Sequence, residues 1–302
     1  MLKIIIFKVL RLSCVPLLIR NFMQRNKVTI VLFHELGADD AERVFKFLKT
    51  KYNIISLQLY LQALKTKDYG LIPKKALVIT FDDGHFSNFG LASTVKSMSM
   101  PITIFLCASI CGTNRSFWFK RRIKDVSIQS LKRMSSAKRR ELLEQNGFDF
   151  EKDFETPQAL QDDQINEMKS YVDFQSHTNF HPILPTCSTN EAKEEILMSK
   201  IQLEKRYGIV VNSFAFPNGD YSERDIEIVK SSGYDCALTV DLGFNDQFSD
   251  LFRLKRISLG DSNNLDEICV KASGLWMFLK QRFSRDVSHG IQPDFTEDNM
   301  NV

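Results

Sequence analysis

The chain has 302 residues, of which 43% are hydrophobic and 25% charged, with 13 glycines and 8 prolines. This composition excludes a disordered chain, a collagen-like chain and a disulfide-stapled mini-protein. Lysine and arginine together number 40 and aspartate and glutamate 37, so the net charge of +3 gives no indication of a nucleic-acid partner.

The first 27 residues differ from the rest because they hold six basic side chains and no acidic one. Wound as a helix, the segment places five apolar side chains on one face, namely Leu2, Ile5, Ile6, Val9 and Leu12. Lys3, Lys8 and Arg11 fall on the other face. This pattern suits a helix lying in an anionic membrane surface, or a helix that packs on the following domain with its lysines in water.

Charged residues and Pro16 interrupt the same segment, so we predict no transmembrane helix. No small-residue cleavage site follows the apolar run at 12–19, and we therefore expect no cleaved signal peptide. The six cysteines are scattered, which favours a reducing compartment.

Apolar runs typical of strands alternate with segments of helical length. The predicted strands are Val28–Phe33, Ala76–Phe81, Ile102–Cys107, Val172–Gln175, Ser213–Phe216, Cys236–Val240 and Leu254–Ile257. The predicted helices are Ala41–Thr50, Phe89–Met98, Glu191–Tyr207 and Ser222–Ser231, with Asn190 as the N-cap of the third. Such alternation predicts parallel βαβ units.

Residues 112–160 interrupt this alternation and are predicted to form an insertion with its own helices. Between positions 120 and 140 nine basic residues accompany a single acid, Asp125. The basic run is either a solvated helical surface or a contact for phosphate on a membrane or a lipid-linked saccharide. Residues 286–302 are predicted to be a polar tail.

Two charged motifs each follow a predicted strand. The apolar run at 77–81 is followed by Asp82, Asp83, Gly84 and His85. Parallel α/β folds place active sites at such strand ends. One carboxylate can ligate a cation while the other accepts a proton. An Asp-Asp-Gly sequence is also common in ordinary turns.

The second motif contains His177 and His181, which follow the run at 172–175. One helical turn between them would point both imidazoles in the same direction. Two imidazoles and one carboxylate are a common ligand set for zinc, and they leave a coordination position open for water.

Together these motifs resemble those of the NodB-homology polysaccharide deacetylases. The strings that carry the resemblance are Thr80-Phe81-Asp82-Asp83-Gly84 and Ser176-His177-Thr178-x-x-His181-Pro182. Phe214-Ala215-Phe216-Pro217-Asn218-Gly219 is similar to the Phe-Ala-Tyr-Pro-x-Gly motif of one branch. The first strand, which ends in His34, and the late strings at 232–239 and 253–257 follow in the order expected for that branch.

The resemblance implies an α/β fold, a distorted (β/α)7 barrel over residues 28–285, preceded by the basic segment 1–27. It implies that Asp83, His177 and His181 hold a divalent metal. Zinc is expected, with cobalt, nickel or manganese as alternatives. It also implies that Asp82 is the general base.

The chain departs from the family where a proton donor and an arginine are usual. After His181 the only histidine is His289, in the polar tail. His34, at the end of the first strand, is therefore our candidate general acid, or else a hydrogen-bonded supporting histidine; His85 is a weaker candidate acid. The usual Arg-x-Pro motif is missing, and Arg256 either orients Asp82 or is a structural arginine.

We therefore expect a metal-dependent hydrolase that removes N-acetyl groups from a sugar of a cell-surface polysaccharide or its precursor. The alternatives are an amidase of the same superfamily acting on a non-sugar amide and a non-catalytic glycan-binding barrel. The expected partner is an N-acetylated glycan, with peripheral contact to an anionic membrane or a lipid-linked saccharide and none to nucleic acid. The expected location is the cytoplasm, at the inner face of the membrane.

Overall fold

A curved sheet of parallel strands organises the chain. The computed structural model describes residues 2–287. Its strands are β1 (Val28–Phe33), β2 (Asn53–Ile54), β3 (Ala76–Phe81), β4 (Ile102–Leu106), β5 (Asp173–Ser176), β6 (Ser213–Ala215), β7 (Cys236–Leu238) and β8 (Ile257–Ser258). They pair in the order β7-β6-β5-β4-β3-β1-β8, with β2 beside β3.

The segment around β8 closes this sheet into a barrel. The backbone of Leu254 exchanges hydrogen bonds with β7 and the residue after it, donating to Ala237 at 3.0 Å and accepting from Thr239 at 2.9 Å. Five residues later, Leu259 donates to Leu32 of β1 at 3.0 Å. The two edges of the sheet therefore meet through one short segment, and the predicted distorted (β/α)7 barrel is confirmed.

Helices cover the outside of the barrel. They are α1 (Leu2–Leu12), α2 (Val15–Leu18), α3 (Ala38–Lys49), α4 (Leu57–Thr66), α5 (Ala92–Met98), α6 (Ile128–Arg133), α7 (Ser136–Gln145), α8 (Asp162–Met168), α9 (Thr189–Tyr207), α10 (Glu223–Ser231), α11 (Leu265–Ala272) and α12 (Leu275–Val287). The predicted alternation of strands and helices is present, although the short β2 was not predicted. Within the described residues no helix is long and apolar enough to cross a membrane.

Most strand residues are apolar because both faces of the sheet are covered, although β5 is largely polar. In β3 the side chains of Ile79 and Phe81 pack with the outer helices, whereas Ala76 and Val78 belong to a second cluster that fills the barrel with Phe105. This alternation follows from the two-residue period of a strand. The interior of the barrel is thus packed with apolar side chains, and the two charged motifs lie at its carboxyl-terminal end.

Two segments add to the barrel. The predicted insertion at 112–160 contains α6 and α7, which share a separate apolar cluster around Trp118 and Leu143. The N-terminal helix α1 packs through Phe7 against Val270 and Leu275 of the last two helices. The predicted tail at 286–302, with His289, lies outside the described residues except for its first two positions, which end α12.

The start of α9 differs from the prediction. Ser188, and not Asn190, is the N-cap, since its hydroxyl accepts a hydrogen bond from the Glu191 backbone N–H at 3.3 Å. Asn190 lies inside the first helical turn and is exposed. The sequence Ser-Thr-Asn offers three successive capping residues, and the chain path after the short 3₁₀ turn at Leu184–Thr186 selects the first.

Replacing Ser188 with Ala should therefore lower the free energy of unfolding by about 1 kcal/mol, the usual value of a helix N-cap. The matched Asn190→Ala variant should change it by less than about 0.5 kcal/mol, because that side chain is on the surface. Urea denaturation of both variants measures the difference. A larger loss for Asn190→Ala would contradict the observed cap.

Candidate metal centre

The Asp-Asp-Gly motif makes a sharp turn at the end of β3. Asp83 and Gly84 both have left-handed backbone conformations, with φ of 71° and 70°. At Gly84 a side chain could not fit, since a Cβ atom would lie 2.6 Å from Leu106 Cδ2 and 2.9 Å from Cys111 Sγ. Aspartate tolerates this conformation better than most residues, so the turn can present the Asp83 carboxylate at the strand end.

The histidine motif forms a loop and not the helical turn that the spacing suggested. Thr178 and His181 have φ of 66° and 57°, values outside a right-handed helix. Glu195 of α9 holds the loop, because its Oε2 accepts hydrogen bonds from the backbone N–H groups of Asn179 at 2.8 Å and Phe180 at 3.0 Å. Sequence reasoning missed Glu195, which lies outside the motif.

The loop nevertheless brings both imidazoles to Asp83. The Nε2 atom of His177 lies 3.4 Å from Asp83 Oδ1, and that of His181 lies 3.3 Å from the same oxygen. All three side chains are buried. The three are the one group of potential metal ligands found among the described residues, with ligand atoms within 4.8 Å of one another.

The donor set fits a divalent cation. Within the described part of the chain, Asp83 Oδ1 is buried yet accepts no hydrogen bond. His177 Nδ1 donates to the Ala215 carbonyl at 2.8 Å, which leaves the lone pair of Nε2 directed toward Asp83. Ligand atoms of a tetrahedral zinc site with bonds of about 2.0–2.1 Å lie about 3.3 Å apart, close to the separations from Oδ1 to the two imidazoles.

Burial and charge give His181 and Asp83 the protonation states that bind metals. Burial lowers the pKa of His177, but the carboxylates of Asp82 and Asp83 outweigh burial and raise that pKa above its ordinary value. Burial lowers the pKa of His181 to about 3 despite the opposing charge of Asp83, so its imidazole is neutral at physiological pH. Burial raises the pKa of Asp83, but the neighbouring imidazoles of His181, His177 and His85 outweigh it, and the pKa lies well below its ordinary value. Neutral imidazoles and an ionised carboxylate are the forms that bind metals.

Asp82 lies beside the three potential ligands and is held by Arg256. The Arg256 guanidinium is completely buried and donates to both carboxylate oxygens, from Nη1 at 2.7 Å and from Nη2 at 2.8 Å. Its Nε donates to the Thr239 carbonyl at 2.9 Å. The structure thus places Arg256 against Asp82, and its role in catalysis stays a prediction.

This ion pair fixes the charge of Asp82. Burial raises the pKa of its carboxyl group, but the positive charge of Arg256 outweighs burial and lowers the pKa below the ordinary value. Asp82 is therefore ionised at neutral pH, and its Oδ2 lies 4.0 Å from His177 Nε2. An ionised carboxylate beside a metal site can accept a proton.

His34 shares a cleft with these groups. The half-buried imidazole lines a cavity of about 840 Å³ together with Asp82, Asp83, His177 and His181. Two hydrogen bonds fix the backbone of His34: its N–H donates to Asp261 Oδ1 at 2.8 Å, and its carbonyl accepts from the Asn88 side chain at 2.7 Å. His34 is thus brought to the site, where its role as an acid stays a prediction.

His85 contacts Asp83 directly. Its Nε2 lies 3.1 Å from Asp83 Oδ2, the oxygen that does not face the other two histidines. Its Nδ1 lies 3.3 Å from Lys120 Nζ, which in turn donates to Glu35 at 2.9 Å. His85 therefore orients a potential ligand, and neither Lys120 nor Glu35 carried a sequence signal for this contact.

The insertion also reaches the cleft. Phe119 and Lys132 line it, whereas Trp118 is buried among the apolar residues of the insertion. The phosphate contact considered for the basic run stays a prediction, as does the alternative of a solvated surface.

Comparisons with known proteins agree with this geometry. The sequence model of the polysaccharide deacetylase family matches residues 71–237. The deacetylase PplD of Streptococcus pyogenes, solved with acetate, is 21% identical, with 81% of this chain and 99% of that chain covered and a TM-score of 0.58. IcaB from Ammonifex degensii is 15% identical, with 83% and 98% covered and a TM-score of 0.61.

A third similar structure is the putative polysaccharide deacetylase BA0330 from Bacillus anthracis. It is 17% identical, with 82% of this chain and 69% of that chain covered and a TM-score of 0.57. At these identities the solved structures show a common fold. No curated protein sequence matches the chain.

Replacing Arg256 with Met should lower the free energy of unfolding by about 3–5 kcal/mol, because it leaves the Asp82 carboxylate buried and unpaired. Arg256→Lys should lower the free energy of unfolding less, because a positive charge remains although the bidentate contact with the carboxylate is lost. Arg253→Met is the matched control. That arginine pairs with Glu223 and Asp250 at the surface, and its loss should cost less than about 1 kcal/mol.

Chemical denaturation at neutral pH measures all three variants. An Arg256→Met protein as stable as the wild type would contradict the buried ion pair described above.

Proposed function

Because this chain belongs to the polysaccharide deacetylase family, we propose that it is a metal-dependent hydrolase that removes N-acetyl groups from an N-acetylated sugar of a cell-surface polysaccharide or its precursor. The observation that carries this proposal is the convergence of Asp83, His177 and His181 beside an ionised Asp82 held by Arg256. A binding module would need neither a ligand set nor an adjacent base.

Asp83, His177 and His181 would hold the cation, which we propose to be zinc, with cobalt, nickel or manganese as alternatives. One carboxylate and two imidazoles are typical of catalytic zinc sites that leave a position open. When bound, the cation supplies a Lewis acid that polarises the amide carbonyl and lowers the pKa of water.

The remaining steps belong to the side chains of the chain itself. Asp82 accepts a proton from the water that attacks the acetyl carbonyl carbon. Arg256 keeps both oxygens of that carboxylate in one orientation throughout. The carbon–nitrogen bond then breaks, acetate is released, and the amine of the sugar takes a proton, which we assign to His34 at the end of the neighbouring strand β1.

The location of the protein is also a proposal. All six cysteines lack disulfide bonds, and five of them are buried, which supports a reducing compartment. We therefore place the protein in the cytoplasm, where N-acetylated precursors of surface polysaccharides would be its substrates.

Acetate release from N-acetylated oligosaccharides should stop when the protein is exhaustively chelated and return when zinc is added.

His177→Ala should lose the bound metal, because it removes one of three ligands. Asp82→Asn should keep the metal and abolish acetate release, because its amide cannot accept the proton of the attacking water. Elemental analysis and an acetate assay measure the two properties separately. Wild-type activity that survives chelation would overturn the proposed mechanism.

His34→Ala should lower kcat by about 10²–10⁴, the usual contribution of a general acid, without loss of metal. His85→Ala should instead weaken metal binding by about 10–100-fold, the usual effect of removing a group that orients a ligand. Comparing kcat with metal affinity in the two variants distinguishes these roles. An unchanged kcat in His34→Ala would exclude it as the acid.

A further inference from the structure

The N-terminal helix α1 is docked on the barrel in an unusual orientation. Phe7 faces the body, and its ring centre lies 5.0 Å from that of Trp276 in α12. On the same side of α1, Lys3 pairs with Glu267 at 3.3 Å and Arg11 pairs with Asp266 at 2.6 Å, both acids of α11. The basic side chains thus face the acidic body and fix the rotation of the helix.

As a result, the apolar face of α1 points away from the protein. Leu2, Ile5, Val9 and Leu12 are 72%, 52%, 60% and 70% exposed. An amphipathic helix on a soluble domain normally buries such a face. Here the same helix buries one aromatic ring, makes two partly exposed ion pairs with α11 and leaves its aliphatic side chains uncovered.

The exposed face continues beyond α1. Of the eighteen large hydrophobic side chains that are exposed in the described part of the chain, eleven lie within residues 2–23. They include Leu17 and Leu18 of α2, which packs beside α1, and Phe22, which is 76% exposed. Apolar surface so concentrated in one segment marks an interaction site and not ordinary surface scatter.

Positive charge lies beside this apolar surface. Lys8 is next to Val9 on the flank of α1, and Arg25 follows Phe22; both side chains are exposed. An anionic lipid bilayer offers both features at once, an apolar layer for the aliphatic side chains and phosphate groups for the cations above it. Long basic side chains can reach the phosphates while their stems stay among the lipids.

The helix that carries this surface also contacts the wall of the catalytic cleft through its buried face. Trp276, which packs on Phe7, also lines the cleft that contains Asp82 and His34, as do Met277 and Gln281 of the same helix. Trp276 therefore connects α1 to the cleft wall. A sugar attached to a membrane lipid would be held near this wall without leaving the bilayer surface.

We propose that the outward face of α1 and α2 inserts into the surface of an anionic lipid bilayer and presents the cleft to a lipid-linked N-acetylated saccharide. The inference of a docking surface depends only on the exposed side chains of α1 and α2. The inference of the substrate class also depends on the proposed deacetylase function.

Sedimentation of the full chain with vesicles tests the docking surface. The protein should sediment with phosphatidylglycerol-containing vesicles and less with pure phosphatidylcholine, and salt should weaken the binding. Ile5→Asp with Val9→Asp should lower the partition coefficient by about 100-fold or more, since each lost aliphatic contact accounts for about tenfold. Both positions are exposed, so the fold should be kept, as a thermal melt would show.

The matched control places aspartates at two exposed apolar residues elsewhere, Ile201 in α9 and Val210 in the loop after it. This variant should sediment like the wild type. Equal sedimentation of the Ile5/Val9 variant, or no binding of the wild type to anionic vesicles, would overturn the proposal. So would a wild-type dimer that the Ile5/Val9 variant dissociates, because the face would then bind a second copy of the chain.

Acetate release from two substrates tests the substrate class. The Ile5/Val9 variant should lose tenfold or more of its rate on an N-acetylglucosaminyl lipid in anionic vesicles and keep its rate on a soluble N-acetylated oligosaccharide. Equal rates of the variant and the wild type on the vesicle substrate would overturn the substrate class. Inactivity of the wild type on both substrates, with vesicle binding intact, would contradict the proposed function and leave the docking surface supported.

Discussion

A buried ion pair between Arg256 and Asp82 is the interaction on which the site depends. The guanidinium lies in the segment that closes the barrel, so the same residues that join β7 to β1 also deliver the charge that keeps Asp82 ionised. A carboxylate in this packed barrel end would be unfavourable without that partner. The segment that closes the fold therefore also stabilises the ionised Asp82 carboxylate.

The neighbouring carboxylate, Asp83, is prepared differently. No arginine contacts it; one oxygen meets His85, and the other faces His177 and His181 without a hydrogen-bond donor among the described residues. Backbone turns with positive φ bring these side chains together, and such strained backbone is retained where surrounding contacts fix it. Two adjacent carboxylates thus have different partners, which is how one can ligate a cation while the other accepts a proton.

The sequence was informative where the signals are local. Apolar runs that end in Asp82-Asp83-Gly84 or precede His177 predicted the strands, and the resemblance to the deacetylase motifs implied the barrel. Contacts between distant positions could not be predicted from the sequence. The contact of Arg256 with Asp82 forms only because the barrel closes. The hydrogen bonds that Glu195 accepts from the histidine loop come from a helix that follows the motif. The periodicity of α1 likewise predicted its two faces but not that acids on α11 would turn the basic face inward.

The most direct test of the metal centre is a crystal structure of the zinc-loaded protein with anomalous scattering measured at the zinc edge. One strong peak is predicted between Asp83 Oδ1 and the Nε2 atoms of His177 and His181, with Asp82 still bound to Arg256 and outside the coordination sphere. A peak elsewhere in the protein, or one coordinated by Asp82 in place of Asp83, would contradict the division of roles between the two carboxylates.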